Sequence, residues 1–277
     1  MSMVLGIDLG GTGFKAGRIQ DGKLIEQHRL AVHREQSEQA LFDTLYRLID
    51  GLMSPEVTAA GIGVPGIVNP EEGIIYDIQN LPSWIEIPLK QILEEKYAIP
   101  FNINNDANCF ALAEHQFGKG QDYPDMVGLS IGTGLGMGLI INGKLYNGLL
   151  CGAGEVGMLP YLDGILEEYC GSFFFSRQYN NDGKTIYQNA IKGGTAANKA
   201  YYEFGRHMGE AIKIVCYLYA PQAIIMGGSI ANAYGLFEQG MQETLSTFAY
   251  PKQLKQTKIL ISDLEHSAIL GAAALCD

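Results

Sequence analysis

Two stretches of the chain share one rhythm: a short apolar run, a glycine-rich turn, a second apolar run, and then an Asx-Gly pair. In the first, residues 5–8 predict a strand, Gly10-Gly11-Thr12-Gly13 a turn, residues 14–19 a second strand, and Asp21-Gly22 the next hairpin turn. In the second, apolar blocks flank Gly132-Thr133-Gly134-Leu135-Gly136, and Asn142-Gly143 supplies the closing turn. Asx-Gly pairs suit type I′ turns because both central residues take positive φ there. The copies differ by one residue in length. Two such hairpins predict two related half-domains facing each other across a cleft.

Between and beyond them, strand-like and helix-like periods alternate. Residues 23–30 continue the first sheet, and Leu41, Phe42, Leu45, Leu48, Ile49 and Leu52 recur at helical spacing. Residues 58–64 predict a buried strand ended by Pro65-Gly66, 74–76 a short strand, and 80–84 a loop carrying the only tryptophan. A helix is expected over 88–97 and a strand over 101–104. A second helix over 107–117 would have Asp106 as its N-cap. The polar, turn-rich segment 118–125 divides an N-terminal lobe, 1–118, from a C-terminal lobe, 119–265. The second lobe should hold the glycine loop 152–157, a helix opened by Glu167-Glu168 and a loop at 180–183. A long helix over 201–219 is stopped by Pro221, and a strand over 223–226 runs into Gly227-Gly228-Ser229. A strand over 258–261 and a helix over 267–275 follow, with 266–277 expected to pack back on the first lobe. Strands alternating with helices mean α/β, and such folds bind ligands beyond the carboxyl ends of their strands.

Composition narrows the picture. With 277 residues, 47% of them hydrophobic and 18% charged, the chain is globular and long enough for a sizeable core. A net charge of −11 argues against nucleic acid, which needs clustered Lys and Arg. It leaves small phosphate ligands open, since glycine backbones cradle them without net positive charge. No apolar run is long enough to span a bilayer, and the first residues lack a signal peptide's basic region and cleavage site. The five cysteines are scattered singly, which fits reduced thiols and a cytoplasmic protein. A homodimer is expected.

The glycine loops carry the candidate chemistry. Asp8 at a strand end, followed by Gly10, Gly11 and Thr12, offers backbone N–H groups and a hydroxyl to a phosphate. Asp8 itself suits a Mg²⁺ held through water. Gly132, Thr133 and Gly134 repeat the device without the aspartate. One such loop is as readily an ordinary hairpin, whereas a matched pair reads as a phosphate clamp. Neither loop is a Walker A motif or a dinucleotide fingerprint, because no Gly-Lys-Ser/Thr follows and neither opens a helix. Asp106, beside Asn105, is the candidate general base for a substrate hydroxyl, with plain N-capping as the bland alternative. Glu155, among glycines, suits neighbouring sugar hydroxyls or is a solvated loop residue. Gly227-Gly228 either admits a flat nucleotide base or makes a tight turn. The five histidines form no metal-spaced cluster.

Taken together, Asp8-Leu-Gly-Gly-Thr12, Val64-Pro-Gly66, Asn80-Leu-Pro-Ser-Trp84, Asn105-Asp-Ala-Asn108, Gly132-Thr-Gly-Leu-Gly136, Gly152-Ala-Gly-Glu-Val-Gly157 and Ile225-Met-Gly-Gly-Ser229 resemble the ROK sugar kinases along essentially the whole length. These belong to the actin/hexokinase/heat-shock-protein ATPase superfamily. The resemblance implies a two-lobed, actin-like (ribonuclease H-like) fold with duplicated mixed sheets and a central cleft. It implies a glucokinase-like, ATP- and Mg²⁺-dependent kinase of a hexose or hexosamine. Asp106 would be its base, and Asn80, Asn105, Glu155 and Glu167 would bind sugar. Asp8, Gly10, Gly11, Thr12, Gly132, Thr133 and Gly134 would lie on the phosphates, and Gly227 and Gly228 near adenosine. Some family features are missing. Met158 stands where members usually carry a zinc- and sugar-binding His, the cysteine-rich zinc segment is replaced by residues 161–166, and Gly13 stands where a lysine often follows Gly-Gly-Thr. No zinc is therefore expected. Without a helix-turn-helix extension, the repressor branch is not expected either. The rival reading is a non-catalytic sugar or nucleotide sensor of the same fold.

Overall fold

A computed structural model describes residues 3–76, 78 and 80–276. The elements run β1 (Met3–Gly10), β2 (Gly13–Gln20), β3 (Lys23–Ala31), α1 (Glu38–Asp50), β4 (Val57–Val64), β5 (Ile67–Asn69), β6 (Ile74–Tyr76), β7 (Glu86–Ile87), α2 (Leu89–Tyr97), β8 (Phe101–Asn105) and α3 (Asp106–Phe117). Then come β9 (Met126–Ile131), β10 (Leu135–Ile141), β11 (Lys144–Leu145), β12 (Pro160–Tyr161), β13 (Gly164–Ile165), α4 (Leu166–Cys170), α5 (Phe173–Tyr179), α6 (Gly183–Ile191) and α7 (Thr195–Tyr219). The chain closes with β14 (Ala223–Gly227), α8 (Tyr234–Leu245), α9 (Pro251–Gln256), β15 (Lys258–Ile261) and α10 (Ser267–Ala273).

Two five-stranded mixed sheets dominate, with orders β3-β2-β1-β4-β8 and β11-β10-β9-β14-β15. In the first, β1 pairs antiparallel with β2 but parallel with β4, and β4 parallel with β8. In the second, β14 lies parallel to both β9 and β15. Both Asx-Gly turns have the backbone that the sequence predicts: φ is 51° and 72° at Asp21 and Gly22, and 52° and 72° at Asn142 and Gly143.

The chain divides into two compact units. The first comprises 1–122, 138–153 and 264–277, and the second 123–137 and 154–263. A linear boundary at 118 cannot express this arrangement, because the segment 138–153 groups with the first unit. In the first unit, α1 opens at Ser37, whose side chain accepts from the Ala40 N–H, and buries Leu41, Phe42, Leu45, Leu48 and Ile49 in a core shared with residues of β1, β2 and β4. Glycines let α10 approach the sheet closely, because a Cβ on Gly6 or Gly61 would overlap the Ile269 or Ala272 carbonyl. In the second unit, α7 and α8 pack through Gly205, Gly209 and Gly240 in the same way.

Three local expectations need correction. The N-cap of α3 is Asn105, with Asp106 as the first helical residue, since Asn105 takes the extended backbone a cap requires. The last helix stops at Ala273 and tightens into a 3-10 turn over Ala274–Cys276. Helix α7 starts at Thr195, well before its first large apolar residue, and α5 and α6 form where the sequence shows no sustained helical period. Among the described residues, no helix is long and apolar enough to cross a membrane.

Candidate functional site

Strand register assembles the first unit's share. Asp8 on β1 stands opposite Gly63 on β4, which stands opposite Asn104 on β8. All three lie at the carboxyl end of their parallel strands, and Asp106 begins α3 two residues beyond Asn104. Glycine at position 63 keeps this edge open, because a Cβ there would lie 3.2 Å from Cys109 Sγ and 3.6 Å from Asp106 Cα. The Cys109 thiol faces both acids: burial first, and then the charges of Asp106 and Asp8, hold its pKa well above the ordinary range.

Asn105 is committed to the backbone. Its Oδ1 accepts from the Ala107 and Asn108 N–H groups at 2.8 and 3.3 Å, and its Nδ2 donates to the Gly66 carbonyl at 3.1 Å. A carboxamide network beneath it fixes the junction. Asn104 Oδ1 accepts from Asn105 N–H and Asn108 Nδ2, and Asn104 Nδ2 donates to Asn147 Oδ1 at 3.0 Å. Asp106, exposed at the helix start, has one carboxyl oxygen on the Ala107 N–H at 2.8 Å.

Gly10 and Gly13 pair at the end of the first hairpin, with Gly11 and Thr12 as its turn. Asn80 lies against Gly11, where an added Cβ would meet the Asn80 Cβ at 2.5 Å. The loop holding Asn80 is anchored by Trp84, fully buried between Phe14 and Phe42 at ring centroid distances of 6.1 and 5.1 Å. Asp8 accepts an ion pair from Lys15 at 3.3 Å.

The second unit gathers Gly132, Thr133, Gly134, Glu155 and Glu167. Glu167 Oε2 accepts from the Leu135 N–H at 3.1 Å, and a Cβ on Gly134 would overlap that carboxylate. Gly132 N–H donates to the Gly134 carbonyl at 3.0 Å. Gly154, at φ 101°, and Gly157 bring the Glu155 loop onto the start of β10. Partial burial of the Glu155 carboxyl, and next the Glu167 charge, raise its pKa above the ordinary glutamate range. Gly227 pairs with Ser130 at the end of β14, and Gly228, at φ 88°, turns against Ile131.

Helix α4, which carries Glu167, has only five residues, too few for a helix to hold itself. Arg177 on α5 grips it, donating to Asp163 at 2.8 Å and Glu168 at 2.6 Å while lying over the Tyr169 ring. Tyr169 donates to Asp163, and Tyr161 meets His207 Nδ1 at 3.0 Å. Burial, with the Arg206 charge, pushes His207 below its usual pKa, and burial lifts Tyr161 to about 12. Both are therefore neutral near pH 7. Among the described residues, no group of three or more His, Cys, Asp or Glu side chains is placed to hold a metal ion.

The sequence did not single out Asn104, Asn147, Lys15 or Arg177. Only Lys15 had a readable signal, since it stands opposite Asp8 in the register of a predicted hairpin.

A sequence model of the ROK family matches residues 4–277. A glucokinase of Streptomyces coelicolor is 29% identical over 269 residues, covering 84% of this chain and 83% of that protein. The DNA-binding transcriptional dual regulator NagC of Escherichia coli is 28% identical over 284 residues, 91% of this chain and 69% of the regulator. The crystal structure of a ROK family glucokinase from Streptomyces griseus in complex with glucose and AMPPNP matches with a TM-score of 0.84 at 24% identity, over 99% of both chains. This likeness gives the mixed-sheet architecture its fold: that of the actin-like ATPases.

Proposed function

Because the chain belongs to the ROK family, we propose that it is an ATP-dependent kinase of a hydroxyl on a hexose or hexosamine. The observation that supports this best is the edge of the first unit's sheet. There the register brings Asp8, Gly63 and Asn104 into line, with Asp106 immediately beyond. Because Asn105 performs the capping, the Asp106 carboxylate is disposed to accept a proton.

In the proposed reaction Asp106 takes the proton of the sugar hydroxyl as its oxygen bonds to the terminal phosphorus of ATP. The bond from that phosphorus to the bridging oxygen breaks, and ADP leaves with the electron pair. Asn80, Glu155 and Glu167 would hold other sugar hydroxyls. Asn105 would act chiefly by fixing the Asp106 backbone. The hairpin amides and Thr12 and Thr133 would hold phosphates, and Gly227-Gly228 would lie near adenosine. Phosphoryl transfer of this kind needs positioning and charge stabilisation more than covalent chemistry.

A single carboxylate, Asp8, fits a Mg²⁺ that arrives with the nucleotide and keeps several waters. When bound, the ion neutralises charge on the phosphates.

The regulator among the relatives favours a second reading, a sensor that binds sugar without turnover. Asp106 weighs against it, since a sensor needs no base. A coupled assay with ATP, Mg²⁺ and a panel of hexoses and hexosamines separates the two. Turnover of at least one sugar is expected. Sugar binding by calorimetry with no phosphorylated product from any sugar would instead make the chain a sensor.

A further inference from the structure

Asp8, Lys15 and Arg29 are directly opposite one another across β1, β2 and β3. Residues so paired project from one face of a sheet. Lys15 is engaged with Asp8, but Arg29 makes no hydrogen bond or ion pair with any described residue. Its guanidinium leans over the first glycine hairpin: a Cβ on Gly13 would stand 3.2 Å from Arg29 Nε and 3.6 Å from its Nη2. Glycine at position 13 thus leaves room for a cation delivered from the neighbouring strand.

Beyond Arg29 opens a cavity of about 530 Å³ lined by Lys15, Gln27, His28, Arg29, His266 and Ser267. No carboxylate lines it. In a chain of net charge −11, a concavity walled by lysine, arginine and two histidines is against the general trend. His28 is engaged with Glu26 at 3.2 Å, whereas the exposed His266 has no carboxylate partner among the described residues. Arginine with an unengaged planar fork matches phosphate oxygens in pairs. Gln27 and Ser267 add neutral donors of the kind that fix orientation.

We infer that this cavity binds an oligophosphate anion, gripped by Arg29 and His266 and bordered by Lys15 where it meets the first glycine hairpin. Two sources share that chemistry: the phosphate chain of a phosphoryl donor seated on the hairpin, and a free inorganic oligophosphate acting from beside it. The binding claim does not depend on kinase activity, since either source would be detected without turnover.

The test is calorimetry with tripolyphosphate at low ionic strength, on the wild-type chain, Arg29→Ala/His266→Ala and Arg29→Lys. Wild type should bind, the double variant should lose at least tenfold in affinity, and Arg29→Lys should retain part of it. Thermal melts should show the variants folded, as expected for two exposed side chains. An AMPPNP competition distinguishes the sources: displacement identifies the donor's phosphate chain, and simultaneous binding identifies the free anion. No measurable binding to wild type, or equal binding by the double variant, would overturn the inference, whether or not the chain phosphorylates sugar.

Discussion

Asn105 and Asp106 are neighbours with opposite commitments. The side chain of Asn105 is tied to three backbone groups, whereas Asp106 lies exposed at the first position of α3. The sequence pointed to Asp106 as the cap, and asparagine and aspartate cap helices about equally well. Backbone geometry separates them: Asn105 takes the extended backbone of the cap, and Asp106 is the first helical residue. Glu155 is the residue with a pH signature. Its pKa is raised in the folded chain, so its carboxyl is still protonated where an ordinary glutamate has ionised. On the proposed reading, the ionised form that would accept two sugar hydroxyls appears only as pH rises through that raised value. The KM for sugar should therefore fall with rising pH on the acid side of the profile. Glu155→Gln should abolish that limb, and Glu167→Gln should move it to lower pH by removing the second cause of the shift. A limb unchanged in Glu155→Gln would assign it to another group.

At the scale of elements, the short helix α4 shows how much of the site depends on distant partners. Glu167 is held against Gly134 only while α4 stays docked, and the docking comes from Arg177, Asp163, Tyr169, Tyr161 and His207. On the proposed reading, Arg177→Ala should raise the sugar KM several-fold with a smaller change in kcat, because it loosens Glu167, a proposed sugar-binding group, and leaves Asp106 in place. Arg177→Lys should recover little, since a lysine cannot reproduce the two-pronged contact. Steady-state kinetics on both variants, with equal KM values in wild type and Arg177→Ala as the contrary result, decides this. None of the clamp was legible in the sequence. Its members are drawn from β12, the turn after it, α4, α5 and α7, and the pairing of Tyr161 with His207 joins residues 46 apart in the chain. Helix α5 was hidden too, because Phe173-Phe174-Phe175 has no helical period, and packing of Phe174 and Phe175 on Phe204 supplies what the pattern lacks.

Across the whole molecule, the duplicated hairpin grammar was the most legible feature. Each copy became the start of a five-stranded sheet, and Ser130 faces Gly227 in the second as Asp8 faces Gly63 in the first. The return of the last helix to the first unit was expected, whereas that of 138–153 was not legible; the close backbone contacts at glycine that seat the last helix leave no periodic signature. A Cβ on Gly61 would overlap the Ala272 carbonyl, and one on Gly271 the Cys109 carbonyl. Gly61→Ala should therefore destabilise the chain by about 1–3 kcal/mol, the usual cost of overpacking. Urea unfolding measures it, and an unchanged midpoint would mean that α10 is not held as closely as these contacts require.

The decisive measurement compares wild type with Asp106→Asn, following transfer of the terminal phosphate of ATP to sugar while sugar affinity is read by calorimetry. Loss of a general base lowers kcat by about 10²–10⁴-fold, and that loss is expected here with sugar binding retained. Transfer by Asp106→Asn at the wild-type rate, or a wild-type chain that binds sugar and transfers nothing, would contradict the assignment of Asp106 as the base of a sugar kinase.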